Sequence, residues 1–371
     1  MNKIDPLILR NVHALGNGKV KCVVYTYNYK LAYRYLSHIV PQEDLICYPF
    51  IKAYGICTRL DGISQMANFD CVKYISSAPK VSALSYKSNN FLGTDNVVKN
   101  TDNICVAVID TGCSAHLDLM IPKKIIKFVD LINDKKYVYD DNGHGTFVTG
   151  ILCGSGAYSG GKYAGIDKDV NVICIKALDN NGEGGVLNIL SAMQWIHDNK
   201  ELYNIRVVCM SFGSVPIGLD DPLIKGAEAL WDSGIVVVGA GGNSGPSISS
   251  IKAPGASAKI ITVGALDVKD MSVAQFSSRG PAFNNYKPDV LAPGVNIVGL
   301  NHNLNGEPYI VMSGTSMSAP MIAGICSRIV KDNPSLTPNQ VKRIVLSRCT
   351  PITYDKNIEG FGYYDKQKVR K

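Results

Sequence analysis

Ser316 stands in the stretch Ser313-Gly314-Thr315-Ser316-Met317-Ser318-Ala319-Pro320, where four hydroxyl residues fall within eight positions. Past the proline, Met321-Ile322-Ala323-Gly324-Ile325-Cys326 reads as a buried helix of small and apolar residues. A hydroxyl at the start of such a helix is fixed near backbone N–H groups and the positive end of the helix dipole. That placement suits a nucleophile, but serine alone is inert. It needs a base, an acid that orients the base, and donors for a developing oxyanion. Ser313, Thr315 and Ser318 are rival hydroxyls in the same stretch.

Three other stretches could supply the partners. In Val106-Ala107-Val108-Ile109-Asp110-Thr111-Gly112 a carboxylate closes a buried strand just before a glycine turn. Backbone donors can lock an acid there, although an Asp capping a turn would look the same. In Asp141-Asn142-Gly143-His144-Gly145-Thr146 a histidine lies between two glycines that permit close backbone approach. His116 is its one rival, being near Asp110 in sequence, but it lacks the glycine frame. The remaining histidines read as structural or exposed. In Val236-Val237-Val238-Gly239-Ala240-Gly241-Gly242-Asn243 an amide ends a buried strand in a glycine-rich turn, where it can cap the turn or donate to an oxyanion.

These stretches need a scaffold. Residues 104–109, 172–176, 207–212, 235–240 and 260–264 are short, almost wholly apolar runs. Between them Val186, Ile189, Leu190, Met193 and Ile196 recur at helical spacing, as do Leu223, Ile224, Ala227 and Leu230 before a stop at Gly234. Apolar strands alternating with helices predict an α/β fold, a mainly parallel, doubly wound sheet with helices on both faces. Active sites in such sheets lie at the carboxyl ends of the strands. Thr337-Pro338-Asn339-Gln340 has the form of a capping box opening a final helix.

Residues 1–86 read as a separate small α+β domain. A strand over 19–27, a helix over 28–40, strands over 45–50 and 53–60, a helix over 61–74 and a strand at 81–84 make a β-α-β-β-α-β, ferredoxin-like order. Residues 87–100 are polar and weakly patterned, as in an exposed linker, and open a larger domain over 87–371.

A hydrophobic fraction of 46% and 35 glycines suit a compact protein with many tight turns. The net charge of +7 is spread along the chain apart from the tail Lys366-Gln367-Lys368-Val369-Arg370-Lys371, which reads as a solvated end. No nucleic-acid, nucleotide or metal motif stands out, and no apolar run is long enough to span a bilayer. The amino terminus does not resemble a signal peptide, and the eleven cysteines are scattered and unpaired in pattern. Together these predict reduced, mostly buried thiols and a cytoplasmic location.

Taken in order, Asp110, His144, Asn243 and Ser316 resemble the subtilisin-like serine proteases, the subtilases. The resemblance covers roughly residues 104–350. It rests on Val108-Ile109-Asp110-Thr111-Gly112, His144-Gly145-Thr146, Gly241-Gly242-Asn243 and Gly314-Thr315-Ser316-Met317-Ser318-Ala319-Pro320, with support from Phe276-Ser277-Ser278-Arg279-Gly280 and residues 287–294. It implies a serine endopeptidase with Ser316 as nucleophile, His144 as general base and acid, Asp110 as orienting carboxylate and Asn243 as oxyanion donor. It also implies that peptide or protein substrates add as a strand to Asn181–Gly185 and Met210–Gly213, touching Gly182 and Gly184. Ser211, Phe212, Gly213, Ala240, Gly241 and Gly242 would wall the pocket for the side chain before the scissile bond (P1). No acid is placed to select Lys or Arg there.

Catalysis requires no cofactor. Phe147 and Met321 stand where relatives commonly have histidine, and neither is a triad position. Structural calcium is poorly supported. The loop Gly154–Gly161 lacks the carboxylates and amides of the family's calcium loop, and Asp118 matches a single ligand. Cys113, close to Asp110, reads as a packed thiol. By the same resemblance residues 1–86 look like a propeptide, an intramolecular inhibitor. Val81-Ser82-Ala83-Leu84-Ser85-Tyr86 would then lie in the substrate path, with cleavage near Tyr86–Lys87, and the chain would be made as a zymogen. A narrow processing protease and a catalytically silent peptide-binding scaffold are the alternatives.

Overall fold

The computed structural model describes residues 3–15, 18–87 and 104–369. Beyond Lys87 the expected linker lies outside them, as do the last two residues of the basic tail.

A ten-stranded sheet forms the larger unit. Its parallel part runs Val290–Pro293, Ile261–Asp267, Val236–Ala240, Ile205–Met210, Cys105–Asp110, Asn171–Lys176, Ile125–Asp130 in spatial order. Each strand of the expected set is present because helices cover both faces and every side chain is buried. Cys105–Asp110, for instance, has no exposed position. On one face pack the helices Val186–Asn199 and Pro222–Asp232, on the other His144–Cys153 and Thr315–Asp332. The last of these crosses the strands at 205–210, 236–240 and 261–267. The helix Pro338–Ser347 opens on a complete capping box between Thr337 and Gln340.

Strand order decides where the site falls. From Cys105–Asp110 the sheet grows toward Asn171–Lys176 on one side and Ile205–Met210 on the other. Asp110 therefore ends the strand at the point where the winding reverses, and a crevice opens there.

The small unit is a four-stranded antiparallel sheet in the spatial order Leu45–Tyr48, Ala53–Thr58, Val20–Thr26, Val72–Ser77. Two helices, Tyr29–Ile39 and Leu60–Ala67, lie between the strands in sequence, and Pro6–Leu15 precedes them. Alternation along its first strand sorts the side chains by face. Cys22 and Val24 join the unit's own core with Leu36, Ile63 and Met66. Val23 and Tyr25 join the core of the larger unit. Tyr48 Oη donates to the Leu187 carbonyl at 2.7 Å, and the Phe50 N–H donates to Gln194 at 3.2 Å, so this sheet sits on the helices Val186–Asn199 and Pro222–Asp232.

Two expectations for this unit change. The helix expected over 61–74 ends at Ala67, and the fourth strand is Val72–Ser77. Val72, Ile75 and the residues between them suit either state, and pairing with Val20–Thr26 decides for strand. The strand expected at 81–84 is Lys80–Ala83, and it pairs with the larger unit rather than with the small sheet.

Candidate active site

Asp110, at the end of its strand, accepts from the Thr111 N–H at 2.7 Å. The same oxygen, Oδ1, lies 2.7 Å from Nδ1 of His144, the first residue of its helix. Both residues are buried. Burial disfavours charging the imidazole, but the Asp110 charge and hydrogen bond, with Asp140 behind them, outweigh it and raise the His144 pKa above 6.5. Gly145 lies against this contact, since a Cβ there would stand 2.2 Å from the Gly112 carbonyl oxygen.

Asp140 holds the two stretches together. Its Oδ1 accepts from Thr111 Oγ1 at 2.9 Å and from the Gly143 N–H at 2.8 Å. Oδ2 accepts from the Thr146 N–H at 2.8 Å and from Thr146 Oγ1 at 2.7 Å. Burial pushes this carboxyl up, yet the converging donors pull it below the usual carboxylate value. Lys176, fully buried, adds a second tie by donating to the Thr111 carbonyl at 2.6 Å and to Asp141 at 2.6 Å. Neither residue was singled out from the sequence. An acid shortly before Gly-His, and a lysine closing an apolar strand, were the available signals.

The helix carrying Ser316 starts at Thr315, so Pro320 lies inside it rather than at its start. Proline has no N–H to give the carbonyl four residues back. That carbonyl belongs to Ser316, and Ser211 Oγ donates to it at 3.1 Å. In return Ser316 Oγ donates to the Ser211 carbonyl at 2.6 Å. His144 Nε2 is buried and makes no hydrogen bond. The rival hydroxyls are committed elsewhere: Ser313 accepts from the Asn296 N–H, Thr315 donates to Asn243, and Ser318 donates to the Ala292 and Pro293 carbonyls.

The Asn243 amide oxygen accepts both the N–H and the Oγ1–H of Thr315, each at 3.0 Å. Its nitrogen is thereby turned toward Gly314. At a φ of 154°, Gly314 carries no side chain for a reason: a Cβ would stand 2.4 Å from the Leu84 carbonyl oxygen and 3.1 Å from Asn243 Nδ2.

The chain's own residues 80–87 occupy this crevice. Lys80–Ala83 lies between Glu183–Gly185 and Phe212–Gly213, antiparallel to both. Val81 is opposite Gly184, Ser82 is opposite Gly213, and the Ala83 N–H donates to the Gly182 carbonyl at 2.9 Å. The Leu84 N–H points at the Ser211 carbonyl at 3.4 Å. Farther on, Tyr86 and Lys87 pair with Ser313 and Met312. Of the expected pocket walls, Gly241 accepts the Lys252 N–H, Gly242 borders the Lys252 side chain, and Ala240 is buried at its strand end.

His116 does not reach Asp110's partners. Its Nε2 lies 2.9 Å from the Pro308 carbonyl, and its Nδ1 caps the short helix holding Asp118. Asp118 fits a calcium ion poorly. Its Oδ1 accepts the Tyr158 N–H at 3.1 Å and its Oδ2 accepts the Tyr309 hydroxyl at 2.7 Å, so donors stand where a cation would have to. No group of three or more potential metal ligands occurs among the described residues. All eleven cysteines are free thiols, and burial holds that of Cys113 well above its usual pKa. Among the described residues no helix is long and apolar enough to cross a membrane.

Known proteins are similar to this chain over most of its length. The chain is 42% identical over 268 residues to Serine protease AprX of Bacillus subtilis, a match covering 65% of this chain and 60% of that relative. It is 33% identical over 267 residues to Subtilisin DY of Bacillus licheniformis, covering 71% and 88%. Among solved structures it is similar to Sphericase, with a TM-score of 0.64, 27% identity, and coverage of 71% of this chain and 92% of that one. The chain thus spans about three fifths of the length of the AprX relative. A family model described as the subtilase family matches residues 101–363, the segment that carries all four residues, and the chain belongs to that family.

Proposed function

We propose that the chain is the self-inhibited precursor of a serine endopeptidase and that Leu84–Ser85 is the bond it cuts first. The observation that carries this reading is the register of residues 80–87. A strand that pairs on both sides up to Ala83, gives its next N–H to Ser211 and sets its next carbonyl at Gly314 presents the Leu84 carbonyl to Ser316. Resumed pairing at Tyr86 and Ser313 puts Ser85 on the leaving side. This register moves the expected bond from Tyr86–Lys87 to Leu84–Ser85.

In the proposed reaction Ser316 Oγ leaves the Ser211 carbonyl and passes its proton to His144 Nε2 as it bonds to the Leu84 carbonyl carbon. The carbonyl oxygen becomes an oxyanion facing Asn243 Nδ2 and the Ser316 N–H. Asp110 holds the imidazole with Nε2 toward the serine and stabilises the imidazolium. His144 then gives the proton to the Ser85 nitrogen, the Leu84–Ser85 bond breaks, and an ester on Ser316 remains. Water, deprotonated by His144, hydrolyses that ester and frees the site for other peptides.

Amino-terminal sequencing of the active product tests the bond, with Ser85 expected as the first residue. Ser316→Ala should remain full length. A product starting at Lys87 or beyond position 95 would overturn the register. Labelling by a fluorophosphonate in the wild type and not in Ser316→Ala is expected after activation. Absence of labelling would instead support the binding scaffold.

A further inference from the structure

One side chain at the P1 pocket has no role in the reaction above. Lys252 follows the buried Ile251, and its backbone is pinned between the two pocket walls. Its N–H donates to the Gly241 carbonyl at 2.9 Å, while Ala253 and Ser214 exchange both backbone hydrogen bonds at 2.9 and 3.1 Å. The stem spans the walls. A Cβ on Gly213 would stand 2.6 Å from Lys252 Cβ and 3.3 Å from Leu84 Cδ1. A Cβ on Gly242 would stand 2.6 Å from Lys252 Cγ. The methylenes of Lys252 and the tip of Leu84 therefore border the same glycine. The ammonium makes no hydrogen bond or ion pair with any described residue.

We infer that Lys252 determines specificity at this pocket: it excludes Lys and Arg at P1, admits Glu, and takes uncharged aliphatic side chains such as Leu84 against its stem. This rests on the reading of the crevice as a peptidase cleft. A long cationic side chain has an apolar stem and a polar head, and the two ends act differently. The stem offers the P1 residue the same kind of surface whatever its charge. The head is a positive charge without a partner among the described residues, on a stem that borders the same glycine as the Leu84 tip, so it lies within side-chain reach of a P1 residue at a partly desolvated surface. A P1 ammonium or guanidinium entering there meets like charge, and a P1 carboxylate meets its counter-ion.

The test uses the full chain after activation, with active sites counted by fluorophosphonate labelling. Three anilides that differ only at P1, acetyl-Val-Ser-Ala-Leu, -Glu and -Lys, carry the chain's own residues at the preceding positions. Wild type is expected to cleave the Glu substrate at least about tenfold faster than the Lys substrate, in kcat/KM, the ratio one pairwise charge interaction of this kind supplies. Lys252→Glu should invert that order, and Lys252→Met, which keeps the stem, should bring the two together. The Leu substrate serves as the internal reference in each enzyme, so that the Glu-to-Lys ratio is read apart from any change in overall activity. An unchanged Glu-to-Lys ratio in both variants, with the Leu substrate still cleaved, would overturn the assignment. A wild type that takes no label and cleaves none of the substrates would overturn both this inference and the peptidase reading.

Discussion

Ser316 and Ser211 are hydrogen-bonded to each other twice, hydroxyl to carbonyl in both directions, at 2.6 and 3.1 Å. One bond answers the carbonyl that Pro320 leaves open in the helix. The other keeps the Ser316 hydroxyl on the Ser211 carbonyl, while His144 Nε2 makes no hydrogen bond. Ser211→Ala, made in the Ser316→Ala precursor so that no cleavage intervenes, removes one donor and leaves a buried carbonyl unanswered. A loss of about 1–3 kcal/mol in urea unfolding is expected. An unchanged midpoint and slope would show that the carbonyl finds another partner.

The His144–Asp110 contact sets a pH dependence. Burial lowers the imidazole pKa, while the Asp110 charge and hydrogen bond raise it by more, leaving it above 6.5. Catalysis needs the neutral ring, so kcat/KM should fall as pH drops through that raised value, placing the acid limb above pH 6.5. Asp110→Asn removes the two larger raising causes and leaves only the charge of Asp140. Its limb should move to lower pH, and kcat should fall by about 10⁴, the size known for this replacement in a Ser-His-Asp triad. A limb that stays in place would mean that another group titrates.

Thr315 fixes Asn243 through two hydrogen bonds to the amide oxygen. Asn243→Ala should lower kcat by about 10²–10³ with KM little changed, the effect already established for the equivalent donor in subtilisin. Thr315→Val loses one of the two bonds and should give a smaller drop of the same kind. An effect confined to KM would point to substrate binding instead.

Asp140 gathers donors from Thr111, Asn142, Gly143 and Thr146. Asp140→Ala leaves buried N–H groups unanswered at once, and a loss of about 3 kcal/mol or more is expected by chemical unfolding of the Ser316→Ala precursor. The carboxyl is depressed below 3.8 in the folded state. Its contribution is therefore complete above pH 3.8 and is lost as pH falls toward the folded value. Asp140→Ala should accordingly show a weaker acid dependence of stability than its parent.

At Asp118, Tyr309 Oη and the Tyr158 N–H occupy the two carboxylate oxygens. Thermal unfolding of the Ser316→Ala precursor should give the same midpoint in millimolar Ca²⁺ and in EGTA. Tyr309→Phe should lower stability by about 1.5 kcal/mol, the low end of the range for a hydrogen bond to a carboxylate. A midpoint several degrees higher in Ca²⁺ would place a cation in the loop after all.

Much of this protein is legible in its residues alone. Runs such as 104–109 and 236–240 are apolar at every position because both faces of a parallel sheet are covered. Asp110, His144, Asn243 and Ser316 could be found because turn glycines, helix starts and strand ends are local signals, written within a few residues of the side chain they position. Pairing partners and register are not local. Nothing near Val72 says that it belongs to a strand beside Val20–Thr26, and nothing near Leu84 says that its N–H meets Ser211 and its carbonyl lies at Gly314. Those follow from which strands lie side by side, between segments far apart in the chain. The same holds for Asp140, Lys176 and Lys252, whose types are ordinary and whose surroundings come from distant segments. The kinds of side chain on offer can be read from the residues alone, since they depend on residue type and local conformation. Which of the chain's own residues lie along those strand ends, and in what register, comes from the tertiary fold, since it depends on strand order and packing between distant segments.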